Sequence, residues 1–236
     1  NSLNRSPEVE SETITEKDGS AIYSQERRLE RWAEHFKEQF SWPPSTDLPE
    51  GAREEEWSIN LNYPTEDEVL REICLLKLDK APGPDGLHPI FFIEGGAILV
   101  TRLTGLLQRI WTEERIPEEW GASTIIPIFK KGARTLCENH RGISLVAVAS
   151  KVLSSLILHR LTEYRERQIR ENQARFRPGR ECIDHIFTLR QILEHRHSFQ
   201  RPTIVVFLDL KAAFDSVERQ VLWQCLSIKG VPSKVL

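Results

Sequence analysis

The chain has 236 residues, of which 39% are hydrophobic and 28% charged, enough apolar material to bury the core of one large domain or two small ones. Its net charge of −3 conceals an asymmetry: residues 1–80 carry 10 Lys and Arg against 19 Asp and Glu, whereas residues 81–236 carry 22 against 16, so an acidic leader precedes a cationic body. Cys74, Cys137, Cys182 and Cys225 lie far apart, which excludes a zinc-type pair and a disulfide framework, and no run of the sequence is apolar for a membrane-spanning length or reads as a signal peptide.

In chain order, residues 1–20 are polar and acidic and read as disordered or as linker. Residues 24–40 space Leu29, Trp32, Ala33, Phe36 and Phe40 as the inward face of an amphipathic helix. Residues 41–56 read as linker from their Pro, Gly and charge content. A helix over 64–78 opens with Thr65 and Glu68 at capping-box spacing, then turns Val69, Leu70, Ile73 and Leu76 inward and Lys77 outward. "KAPGPDGLHP" (80–89) fixes a turn. Residues 97–114 are helical on Leu99, Leu103, Leu106, Leu107, Ile110 and Trp111. A strand over 124–132 runs into Lys130 and Lys131, with a return strand at 142–146. Residues 147–168 form a long helix on Val148, Val152, Leu153, Leu156 and Leu161, followed by the basic turn "RFRPGR" (175–180). A helix over 182–196 turns Ile183, Ile186, Phe187 and Leu193 inward. A strand over 203–208 delivers Asp209 at its end, and a helix over 217–229 buries Val221, Leu222, Cys225 and Leu226. The class is α+β, with helices outnumbering strands.

Two groups of residues bear on chemistry. Lys130, Lys131, Arg134 and Arg141 sit between two strands, and Arg175, Arg177 and Arg180 flank an aromatic in a rigid turn. Both suit phosphates or a nucleic-acid strand, although a solvated charged loop explains either one alone. A carboxylate ending a short apolar strand can bind a divalent cation against a triphosphate, but a single such aspartate is more often a plain loop residue.

The order of four stretches goes further. "KAPGPDGLHP", "WGASTIIPIFKKGARTLCENHRGISLVAVASKVLSSLILHRL", "NQARFRPGRECIDHIFTLRQILE" and "FLDLKAAFDSVERQVLWQCLSIKGVPSK" resemble, over residues 60–236, the successive blocks of the reverse transcriptases of non-LTR (LINE-type) retrotransposons. The resemblance implies a right-hand polymerase: an acidic linker with one amphipathic helix over 1–60, the fingers region over 61–180, and the beginning of the palm over 181–236. It implies RNA-directed DNA synthesis on an RNA template and a DNA primer with dNTPs, using two Mg²⁺ ions for which Mn²⁺ can substitute, in the nucleus and cytoplasm and away from membranes. Asp209 matches the first metal-binding aspartate, with the Leu210 carbonyl beside it. Lys130 or Lys131 and Arg141 match residues that hold the incoming triphosphate. Phe214 matches the aromatic gate against a ribose 2′-OH, and Arg177 and Arg180 match a block near the template–primer track. Asp215 reads as a cap of the following helix. Arg175 stands where the family has glycine, which implies a strained turn, and Ala133 where it often has a polar residue. The chain has no methionine and no Asp-Asp pair. It therefore reads as a piece of something longer that stops before the Tyr-x-Asp-Asp block, the rest of the palm and the thumb, and that is inactive by itself. The alternatives are a non-catalytic RNA-binding remnant and, less compatible with Phe214, an RNA-dependent RNA polymerase.

Overall fold

The computed structural model describes residues 13–44, 49–210 and 212–236. Among these, helices α1 (Gln25–Phe40), α2 (Glu66–Cys74), α3 (Pro89–Ile93), α4 (Gly96–Glu113), α5 (Val148–Gln168), α6 (Cys182–Ser198) and α7 (Arg219–Ile228) accompany one antiparallel hairpin, β1 (Thr124–Phe129) with β2 (His140–Leu145). The helix-rich α+β composition is as the sequence implies.

The main core lies where α2, α4 and α5 meet. Val69 and Ile73 of α2, Val100, Leu103, Leu107 and Ile110 of α4, and Val148, Val152, Leu153 and Leu156 of α5 close it, with Phe92 from α3. Those spacings are the i, i+3, i+4, i+7 pattern of helices burying one stripe. Thr65 caps α2 as its sequence predicts: its hydroxyl accepts from the Glu68 N–H at 3.3 Å, and Glu68 Oε2 accepts from the Thr65 N–H at 3.0 Å. Leu70 and Leu106, expected inward, are exposed, and Glu72 is buried instead.

The turn at 80–88 has no regular structure and passes close to the start of α5, where a Cβ added at Gly83 would sit 2.5 Å from the Ala147 nitrogen. A second strap holds the C-terminal end. The Glu54 N–H donates to the Ile228 carbonyl at 2.7 Å and the Trp57 N–H to the Gly230 carbonyl at 2.8 Å. Gly230 has φ +84°, and a Cβ there would meet the Glu55 carbonyl oxygen at 2.1 Å.

Where it is described, the N-terminal segment packs on the hairpin; residues 1–12 and 45–48 lie outside the described residues. Thr15 bridges Ala21 around a turn, and Ile14 and Ile22 bury against Cys137 of the hairpin loop, with Trp32 of α1 packed alongside. The Thr15 N–H donates to the Thr135 carbonyl at 2.9 Å. In α1, Phe36 is buried but Leu29 and Phe40 are exposed, while Arg31 is buried. The helix thus turns a narrower apolar face inward than its hydrophobic spacing suggests, because a two-stranded hairpin is too small to cover the whole stripe.

The largest correction concerns residues 181–217. The 182–196 helix forms, but Ile183, Ile186, Phe187 and Leu193 are all exposed. The strand expected over 203–208 is irregular backbone, with Ile204, Phe207 and Leu208 at 91%, 81% and 88% exposure. A strand needs a partner for its ladder hydrogen bonds, and no described residue pairs with this one. Residues that alternate or repeat for burial are left on the surface when the opposing layer is not supplied by the same residues.

Candidate nucleic-acid interface

The hairpin has two unlike faces. Phe129 pairs with His140 and Pro127 with Gly142 on the side packed against α1, where a Cβ on Gly142 would lie 2.6 Å from Phe36 Cε1. Ile126 pairs with Ile143, and Ile128 with Arg141, on the outward side. Alternation along each strand therefore sends Arg141 to the exposed face. The connecting loop is built around Asn139. Its carbonyl accepts from the Lys130 N–H at 2.8 Å, and its side chain donates to the Ala133 carbonyl at 2.9 Å beneath Gly132, whose φ is +90°. Lys130 and Lys131 stand exposed at its near end, and the Arg134 guanidinium lies 4.6 Å above the Phe129 ring. The structure thus brings Lys130, Lys131 and Arg141 together at one end of the hairpin, a cationic surface on a rigid element.

The basic turn divides its arginines. Arg177 is engaged internally: its Nε donates to Glu166 at 2.9 Å and its Nη1 to the carbonyls of Arg170 and Gln173 at 3.1 and 3.2 Å. Arg177 first, and Arg165 after it, hold the Glu166 carboxyl below the usual carboxylate range against the opposing effect of burial. Arg180 is exposed. The expected strain does not fall on Arg175; the positive φ, 61°, belongs to Phe176. The Phe176 ring meets Phe214 edge-on with centroids 6.0 Å apart, so the turn touches the proposed sugar gate.

Phe214 and Asp215 line a groove of about 650 Å³ together with Phe40, Trp42 and Pro43 from the end of α1. Asp215 does not cap a helix as its sequence position suggests: α7 starts at Arg219 after Glu218, and Asp215 Oδ2 accepts from Gln39 Nε2 at 2.7 Å. Neither the Gln39 tether nor the Phe176 contact is visible in spacing, since each joins segments distant in sequence; only the aromatic inside a basic turn hinted at the second.

Asp209 and Leu210 are exposed on the irregular stretch before the turn. Among the described residues no three His, Cys, Asp or Glu side chains converge in a way that could hold an ion. A single carboxylate with a backbone carbonyl does not make a divalent-cation site, which takes about six oxygen ligands, so the described residues do not by themselves fit a metal centre.

Residues 128–236, which include the end of β1, the basic loop, the basic turn and Asp209, match the family model for reverse transcriptase (RNA-dependent DNA polymerase). This part of the chain is similar to the reverse transcriptase family. Among curated proteins the chain is similar to the transposon TX1 uncharacterized 149 kDa protein of Xenopus laevis, 28% identical over 158 residues, covering 67% of this chain and 12% of that protein. It is also similar to a probable RNA-directed DNA polymerase from transposon BS of Drosophila melanogaster, 26% identical over 154 residues, 64% of this chain and 17% of that protein. The retrovirus-related Pol polyprotein from type-2 retrotransposable element R2DM of the same fly is 26% identical over 157 residues, 66% of this chain and 14% of that protein. The chain spans under a fifth of the length of these relatives. The described residues combine mixed helices with a two-stranded sheet, and among them no helix is long and apolar enough to cross a membrane.

Proposed function

We propose that this chain is the nucleotide-contacting part of an RNA-directed DNA polymerase of a non-LTR retrotransposon. The observation that carries the reading is the family match over a segment whose hairpin displays Lys130, Lys131 and Arg141 on one exposed end. An incoming triphosphate offers several negatively charged oxygens. Two compact ammonium groups and one planar guanidinium neutralise them and fix their orientation, which is most of what a protein contributes to nucleotidyl transfer. Phe214 at the groove supplies a flat apolar wall that excludes a 2′-hydroxyl and so favours deoxynucleotides. Arg180 is exposed, as Arg175 is, where an RNA template or DNA primer backbone can reach it, whereas Arg177 serves the turn's own structure. Asp209 would be the residue of this chain that holds magnesium, but the described acids do not complete that site.

The test of the polymerase reading is Arg141→Ala in a longer protein that is active in synthesis. The dNTP KM is expected to rise about tenfold or more while template affinity changes little, in line with the loss of one charge-assisted phosphate contact. An unchanged KM removes Arg141 from the nucleotide site.

A second reading, a non-catalytic RNA-binding role for this chain alone, is favoured by the absence of converging acids among the described residues. In either case the chain is expected to bind RNA with an affinity that falls steeply as salt rises, because phosphate neutralisation releases counterions. Primer extension by the chain alone would eliminate the second reading.

A further inference from the structure

Away from the hairpin and Asp209, a cleft of about 570 Å³ opens between α2, α5 and the 58–60 segment. At its wall stands Glu72, whose side chain is only 2% exposed. Burying a carboxylate is costly unless both oxygens find donors. The Ser155 hydroxyl donates to Oε2 at 2.5 Å. The other oxygen has only His159 Nδ1, at 3.6 Å, beyond hydrogen-bond length. Apolar lining comes from Ile59, Leu75 and Leu158, and an aromatic side from Tyr164, which stacks on Trp57 with ring centroids 4.8 Å apart. Pro178 brings the basic turn that contains Arg180 to the cleft's edge.

A carboxylate with one oxygen lacking a close donor, an aromatic surface and a basic turn at the edge describe a receptor for a flat, donor-bearing heterocycle attached to a phosphate. Guanine fits this best. Its N1–H and N2–H₂ groups present parallel donors along one edge, which a carboxylate accepts together, while adenine, cytosine and uracil offer no such pair. Bases splayed from single-stranded RNA are held in this way, stacked on aromatic rings and read along their pairing edge. We propose that this cleft is a binding site for an unpaired guanine of RNA, read by Glu72 and stacked on Tyr164. The choice of RNA as ligand rests on the nucleic-acid reading above; the choice of guanine rests on Glu72.

The test is calorimetric titration of the chain with guanosine 5′-monophosphate, and with the adenosine, cytidine, uridine and inosine monophosphates. GMP is expected to bind about tenfold tighter than the other three standard nucleotides, the usual worth of a good bidentate base contact. Inosine monophosphate, which lacks only the N2 amine, should lose most of that preference and needs no mutation. Glu72→Gln, checked by its melting temperature, should abolish the preference, and Ser155→Ala, which keeps the carboxylate, should retain it. Equal binding of GMP and AMP, absence of GMP binding, or a preference that survives Glu72→Gln would overturn the proposal. If the chain binds RNA in a salt-dependent way without preferring GMP, only this inference falls. If it binds no RNA at all, the nucleic-acid reading falls with it.

Discussion

Arg160 ties the chain's middle together, and its removal is the sharpest test of the fold. Its side chain is 5% exposed. The guanidinium grips Glu68 through Nε at 2.8 Å and Nη2 at 2.7 Å, donates through Nη1 to the carbonyls of Asn62 at 2.7 Å and Asn60 at 3.1 Å, and lies 5.1 Å from the Trp111 ring. Arg160→Ala strips donors from a carboxylate that is only 17% exposed and from the carbonyls of Asn60, Asn62 and Tyr63, and leaves a void beside an aromatic ring. Breaking a buried pair on one side costs about 3–5 kcal/mol. Glu68 keeps its Thr65 partner, which places the loss near the lower end, about 3 kcal/mol, or a melting-temperature fall of roughly 6–12 °C for a chain of this size. Urea and thermal unfolding at neutral pH measure it, and a double-mutant cycle with Glu68→Gln isolates the pair. The pH dependence has a definite sign. Arg160, more than any other group, holds the Glu68 carboxyl below its ordinary value of about 4.5, against the raising effect of burial. The pair's stabilisation is therefore complete above that value and is lost as pH falls through the depressed folded value. Wild type and Arg160→Ala should converge on acidification. A loss below about 1 kcal/mol at pH 7 would mean that the pair behaves as a surface ion pair and not as a buried one.

Gly142→Ala places a methyl group 2.6 Å from Phe36 Cε1 and 3.0 Å from Ile125 Cγ2, and should cost about 1–3 kcal/mol by forcing α1 from the hairpin; pairing it with Phe36→Leu should recover part of the loss in a denaturation series. The exposed "TIVVFL" stretch should make the chain aggregate, and Val206→Lys should raise the concentration at which light scattering begins without lowering the melting temperature. Asp209→Asn should leave the melting temperature unchanged because its side chain is solvent-exposed, whereas Asp215→Asn should lower stability by up to about 1 kcal/mol through the weakened bond from Gln39, and the reverse order would show that the two aspartates are misassigned.

What the sequence revealed depended on how local the cause was. The capping box at Thr65, the stripes of α2, α4 and α5, and the β1–β2 pair were readable because each is decided within a few residues or by one apolar face. The stretch at 203–208 was misread for the complementary reason: strand-forming residues state a preference, and hydrogen bonds from a neighbour realise it. Ile183, Ile186 and Phe187 likewise repeat at helical spacing, yet spacing shows only that a face exists and not what covers it. The hairpin cations Lys130, Lys131 and Arg141 were visible as charge around a turn. Arg177 looked equivalent to Arg180 until Glu166, 11 residues earlier in α5, took it up. Glu72 carried no signal at all, since an acidic residue in an amphipathic helix is ordinarily solvated.

The Thr15–Thr135 contact spans 120 residues. The hairpin it covers closes over a short loop, so register can be set locally and early, whereas the N-terminal cover must wait for a long-range encounter whose entropy cost is charged before any contact repays it. Folding should therefore pass through a stage in which the hairpin exists without its lid and Cys137 is open to solvent. The rate at which a thiol reagent labels Cys137 would then serve as a clock for the last docking step, and the same opening in the native protein would let the hairpin shift slightly as a unit while its ladder stays whole.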